Sequence, residues 1–168
     1  MLSRYKAIIS LLENGVTQLP ITSIQVKNII TKYGWDIVEY SLESNIHIKL
    51  LDKYNVLSIA ERSKAFTVKS IDEQLVFIRA GLSANDRRLL LAHELGHIVL
   101  GHMSDCSVLG YTPAGLIDEG QEDEANEFAL EFLAPTCILS QKRINTPQLI
   151  SAATLSLIHI SEPTRRSY

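Results

Sequence analysis

Apolar residues recur along the chain with several distinct periods, and each change of period marks an element. Leu2 to Leu12 carries them at helical spacing and stops at Glu13-Asn14-Gly15, a helix-end signal. Val26, Ile29 and Ile30 define a second helix over about Ser23 to Lys32, which Gly34 closes. From Trp35 to Leu57 the pattern is mixed. "WDIVEY" and "IHIKLL" alternate as half-buried strands do, although "LLDKYN" fits a helical turn equally well. "KAFTVKS" and "QLVFIRA" are β-rich runs joined by "IDE", the pattern of an antiparallel hairpin. A long helix follows, with Ser83 or Asn85 as its N-cap, and "MSDCSVLGYTPAGLIDEG" reads as a loop from its Gly, Pro, Ser and Asp content. A last strong helix spans about Glu119 to Leu133 and stops at Pro135.

The long helix raises the central question. "RLLLAHELGHIVLGH" is apolar in nearly every direction, which marks a buried helix, yet it carries His93, Glu94 and His97. Ionisable groups in an apolar interior cost several kcal/mol unless something pairs or coordinates them. Residues four apart on a helix differ by only about 40° around the axis, so the two imidazoles can meet at one point as metal ligands. Glu94, about 100° from His93, is placed to reach a water at that metal as general base; H-E-x-x-H on a helix is a zinc-protease motif. The alternative is a pair of neutral core histidines bonded to backbone. Gly96 favours the metal reading, because a missing side chain lets another element approach closely.

A catalytic zinc takes three protein ligands, so a third donor must come from elsewhere. His102 is a poor candidate: a continuing helix puts it about 180° from His93, and Gly101 can end the helix first, which favours a capping or rim role. The metzincin pattern would need glycine at 100 and histidine at 103, where Leu100 and Met103 stand. In "GQEDEANEFALEFLAP" the face of Ala125, Phe128, Ala129, Phe132 and Leu133 is apolar. Projection at about 100° per residue puts Glu122 on that face and Glu124, Glu127 and Glu131 opposite it. The pattern selects Glu122, with Glu124 in reserve. Asn126 also faces inward, where it can bond a ligating side chain and fix its orientation.

Composition narrows the setting. The chain has 168 residues, 46% hydrophobic and 21% charged, which suits one packed domain. A net charge of -3 and a pI near 5.9 give no footprint for direct nucleic-acid binding or an anionic membrane. Cys106 and Cys137 have no metal-type spacing and are too few for a disulfide framework. With no signal-peptide pattern and no long apolar span, a cytoplasmic protein is expected. "LSLIHISEPTR", Leu155 to Arg165, can be written in codons that resemble a transposase adapter of sequencing libraries. Residues 155–168 are therefore expected to be non-native, and 1–154 to form a single domain truncated at its C-terminus.

"HELGH", followed by "EDEANEFALEFLAP", resembles the ImmA/IrrE family of metallopeptidases, whose pattern is H-E-x-G-H and then E-x-x-A-N-x-F-A-x-x-L-L-M-P. "RRLLLAHELGH" is similar to that family's lead-in. The resemblance runs from about Leu75 to Pro135, and "FLAP" departs from it by placing Ala134 where methionine is common. It implies a small zincin-like (gluzincin-type) α+β domain, with the active-site helix and the third-ligand helix packed on a small antiparallel sheet. It implies zinc held by His93, His97 and Glu122, with Glu94 as catalytic base. It also implies a substrate class: helix-turn-helix transcriptional repressors, often encoded beside the protease on phages and other mobile elements, cut to relieve repression. Two further expectations attach to this reading. "QLVFIRA" can pair with an extended substrate by strand addition, and Tyr111 is a candidate to assist the oxyanion. The rivals are a metal-stabilised module that displaces a repressor without cutting it, against which an intact Glu94 argues, and a general housekeeping metallopeptidase.

Overall fold

The computed structural model describes residues 2–103 and 119–154, which fold as a small α+β, zincin-like domain. Tyr111 and the tail at 155–168 lie outside the described residues. Among those described, α1 (Leu2–Glu13), α2 (Ser23–Lys32), β1 (Asp36–Tyr40), α3 (Asn45–Lys53), α4 (Leu57–Arg62), β2 (Ala65–Lys69), β3 (Gln74–Arg79), α5 (Ala84–Leu100), α6 (Glu119–Leu133), α7 (Thr136–Gln141) and α8 (Pro147–Thr154) follow in order. None of these helices is long and apolar enough to cross a membrane.

Local chemistry accounts for most boundaries. Thr22 and Gln25 form a reciprocal capping box at the start of α2, and Gly34, at φ 82°, turns the chain out of it. Ser83 rather than Asn85 caps α5, accepting the Asp86 N–H at 3.1 Å. "IHIKLL" lies in α3 and not in a strand: six residues are too few to separate a period of two from 3.6, and Ile46, which alternation would bury, is 79% exposed.

The three strands are ordered β1-β3-β2, with β2 and β3 antiparallel and β1 and β3 parallel. The sheet is thus mixed, where an antiparallel one was expected. Chain connection explains this: parallel neighbours need a long crossover, and α3, α4 and β2 occupy the path from β1 to β3. β3 is the central strand, paired on both sides, so the expected strand addition along "QLVFIRA" is ruled out.

Both faces of the sheet are covered, as the unbroken apolar run of β3 requires. Val76 and Ile78 join the main core with Leu91, Leu95, Phe128 and Phe132 from α5 and α6. Leu75 and Phe77 join a second cluster with Tyr40, Leu51, Val56 and Phe66 beneath α3 and α4. α5 runs through the main core against α6, α2, α1 and the sheet. Its Arg88 is buried and donates to the carbonyls of Ile21 (3.3 Å) and Thr154 (2.5 Å), tying α5 to the start of α2 and the end of α8.

Candidate metal centre

His93 and His97 lie one turn apart on α5, and their Nε2 atoms approach to 3.0 Å. α6 crosses α5 at Gly96, where an added Cβ would stand 3.1 Å from the Ala125 carbonyl oxygen and 3.2 Å from both Ala125 Cα and Phe128 Cδ1. That close crossing brings Glu122 to the histidines, with Oε2 3.2 Å from His93 Nε2 and Oε1 3.4 Å from His97 Nε2. The helical projection of α6 is correct for Ala125, Phe128, Ala129, Phe132 and Leu133, all buried, and for Glu122. It fails for Glu131, which is buried because its carboxylate accepts the N–H and hydroxyl of Thr136 (2.8 and 2.7 Å) where α7 begins.

One donor atom from each of His93, His97 and Glu122 lies within 4.8 Å of the others, a group able to hold a metal ion. The two imidazole Nε2 atoms stand 3.0 Å apart and face different oxygens of Glu122, Oε2 at 3.2 Å from His93 and Oε1 at 3.4 Å from His97. Bonds of about 2.0–2.1 Å would put tetrahedral ligands roughly 3.3–3.4 Å apart, so the two nitrogens stand near the spacing that a small ion would set. Two imidazoles and a carboxylate are also a donor set that zinc accepts. Side-chain exposure rises from 2% at His97 through 16% at His93 to 30% at Glu122, so the cluster opens toward solvent on the Glu122 side.

The electrostatics follow from this crowding. The two imidazoles hydrogen-bonded to Glu122 hold its carboxyl far below the usual carboxylate range. Burial works against the charged form of His93, but Glu122, Glu94 and Asn126 together outweigh it and the ring sits above the usual histidine range. Glu94 is buried within the protein, and desolvation raises its pKa; His93, His97 and a hydrogen bond from Thr67 offset this in part. Thr67 Oγ1 also lies 3.4 Å from Met103 Sδ, but a hydroxyl has one proton and the carboxylate is the stronger acceptor.

Asn126 is exposed, where an inward-facing position was expected, yet its Oδ1 lies 3.0 Å from His93 Nδ1. His102 follows the second of the two courses open to it, a helix ended by Gly101 with His102 as a capping residue. α5 stops at Leu100, Gly101 takes φ 77°, and the His102 N–H bonds back to the His97 carbonyl at 3.0 Å. This reversal lays the His102 ring beside His97, Nδ1 to Nδ1 at 3.0 Å, while its Nε2 meets Glu124 Oε2 at 3.0 Å. Neither His102 nor Glu124 belongs to the three-donor group. Sequence reasoning missed Thr67 altogether. The signal was present: alternation along β2 puts Ala65 and Thr67 on the α5 side, opposite Phe66 and Val68.

Comparisons with curated proteins and with solved structures give no significant match. A family model described as the IrrE N-terminal-like domain, peptidase M78, matches residues 50–149. That span holds the whole sequence of β2, β3, α5 and α6, and with it every donor of the cluster. Since the match covers more than half of the chain and takes in both helices that build the centre, the protein belongs to the IrrE N-terminal-like family, which is of metallopeptidase type.

Proposed function

We propose that this protein is a zinc-dependent endopeptidase that cuts a helix-turn-helix transcriptional repressor. The observation that carries the reading is the meeting of one donor atom each from His93, His97 and Glu122 within 4.8 Å, with a buried carboxylate, Glu94, beside His93 on the same helix. His93, His97 and Glu122 would hold the ion. Zinc, when bound, supplies Lewis acidity: it brings water within reach of deprotonation near neutral pH and favours negative charge on a carbonyl oxygen.

The protein's own residues supply the proton handling. Glu94 takes the proton from the attacking water and delivers it to the nitrogen of the departing amine, so that no charged amide fragment has to leave. Burial raises the affinity of Glu94 for a proton, which suits a group that must hold one between two steps. The Thr67 hydroxyl fixes one side of that carboxylate, and Asn126 fixes the plane of the His93 ring. The repressor as substrate rests on the resemblance of "HELGH" and "EDEANEFALEFLAP" to ImmA/IrrE proteases.

The test sets wild type against Glu94→Gln with the repressor encoded beside this gene, followed by gel and by mass of the fragments. General-base removal is expected to slow cleavage by about 10²–10⁴-fold with zinc still bound. Cleavage that survives the substitution rules out the role of Glu94. Release of repressor from its operator without any cut, by both forms, would favour the non-cutting module, and equal cleavage of unrelated unfolded peptides would favour a housekeeping peptidase.

A further inference from the structure

Both ligand histidines present Nε2 to the cluster, and each has a partner at Nδ1, but the two partners differ in kind. For His93 it is one amide, Asn126. For His97 it is a line of two groups, His102 at 3.0 Å and then Glu124 at 3.0 Å. From this geometry we infer that His102 and Glu124 are positioning residues for His97, holding its ring in the one tautomer and orientation that offers Nε2 to a metal. The inference rests on the proposed reading of His93, His97 and Glu122 as a metal centre.

The argument is one of donors and acceptors. A neutral imidazole carries one N–H and one lone pair. If the His97 lone pair is to face the cluster, its proton must sit on Nδ1, and only an acceptor can then stand 3.0 Å away. His102 Nδ1 is that acceptor, which puts the His102 proton on Nε2, where it meets an oxygen of Glu124. Glu124, as a carboxylate, only accepts. Each group in the line therefore has a single role, and reversing any one of them would set two donors or two acceptors face to face. Direction runs from the metal side outward to a carboxylate that is 55% exposed and costs little to keep charged.

Backbone and burial support the same reading. The left-handed turn at Gly101 is what brings His102 back against α5, and its N–H is tied to the carbonyl of the very residue its ring addresses. The His102 side chain is 7% exposed and its ring lies 67° from the plane of His97, an edge contact that fixes both planes. α6 thus supplies a prospective ligand, Glu122, and the anchors for both histidines, Asn126 directly and Glu124 through His102.

The experiment measures zinc affinity of the full chain by competition with a chromogenic chelator. It adds the visible absorption of the cobalt-substituted protein and the melting temperature of the metal-free protein. Groups that orient a ligating histidine are worth about 10–100-fold in metal affinity. His102→Ala is expected to weaken zinc binding by that factor and to alter the cobalt spectrum. His102→Asn, whose Oδ1 stands where Nδ1 stood, is expected to recover most of the affinity. Glu124→Gln, at an exposed site that leaves folding intact, is expected to weaken zinc binding a few-fold with no change in metal-free melting. Should His102→Ala fail to fold, His102→Asn and Glu124→Gln still decide. The inference is overturned if Glu124→Gln and every folded His102 variant bind zinc as wild type does, or if His102→Asn folds yet binds well below wild type. A wild type that binds no zinc overturns the metal centre itself, which is a separate result.

Discussion

Gly96 offers the sharpest test of how the centre is built, because its substitution would help an isolated helix and should harm this one. In a free helix, Gly→Ala gains about 1 kcal/mol through lower backbone entropy in the unfolded chain. Here the new methyl would stand 3.1 Å from the Ala125 oxygen and 3.2 Å from Ala125 Cα and from the Phe128 ring. Ordinary contacts between carbon atoms lie at about 3.5–4.0 Å. Two of the three neighbours are backbone and cannot rotate away; the third ring is stacked on Phe132 at 5.6 Å. α6 must therefore move off α5 by a few tenths of an ångström. Overpacking of this kind costs about 1–3 kcal/mol, so the net change is a loss of roughly 0–2 kcal/mol, or up to about 8 °C in melting temperature for a domain of this size. Glu122 travels with α6, and its oxygens lie only 3.2 and 3.4 Å from the two imidazoles. Zinc affinity should thus fall by a larger factor than stability does, about 10-fold or more. Calorimetric melting of the metal-free protein and zinc titration of Gly96→Ala measure the two effects separately. A variant that melts higher and binds zinc as wild type does would refute the close crossing as the device that delivers Glu122.

Other perturbations follow from the same structure. At free zinc 100 times the dissociation constant, the wild type should gain about 2.7 kcal/mol of stability, seen as a rise in melting temperature that a chelator reverses; Glu122→Gln should lose most of it. Asn126→Ala should weaken zinc binding by about 10-fold while leaving the buried face of α6 intact, as helical circular dichroism would register. Arg88→Met strips the donor from the carbonyls of Ile21 and Thr154, and denaturant unfolding should show a loss of about 2–3 kcal/mol. Glu39 and Arg87 form a two-pronged pair, 2.8 Å at each contact, that holds Glu39 below its ordinary 4.5. Because the folded value is the lower one, the pair's contribution is complete above pH 4.5 and fades as the pH falls through the folded pKa. Arg87→Gln should therefore cost at most about 1 kcal/mol at pH 7, given that the pair is partly exposed, and progressively less below pH 4.5.

What the sequence disclosed, and what it withheld, divides along a physical line. The convergence of His93, His97 and Glu122 was legible because each sits within a helix, Glu122 in the first turn of α6, where about 100° per residue fixes the direction of a side chain. The buried faces of α2 and α6 were legible for the same reason. The parallel pairing of β1 with β3 was not, since strand order depends on crossovers that local patterns do not encode.

Glu131 was misplaced because it faces the junction of α6 with α7, where the start of the next helix and not the helical period sets its surroundings. The partners of His102 and Arg88, Glu124 on α6 and the carbonyls of Ile21 and Thr154, went unread because they lie on other segments of the chain. Arg88 nonetheless left a trace, for it shares a helical stripe with Leu91, Ala92 and Leu95 and is as buried as they are. The same holds for the centre: periodicity identifies the side chains that converge on a prospective metal, and Asn126 beside them, whereas His102 is brought against His97 by a turn whose sequence mark is one glycine followed by a histidine.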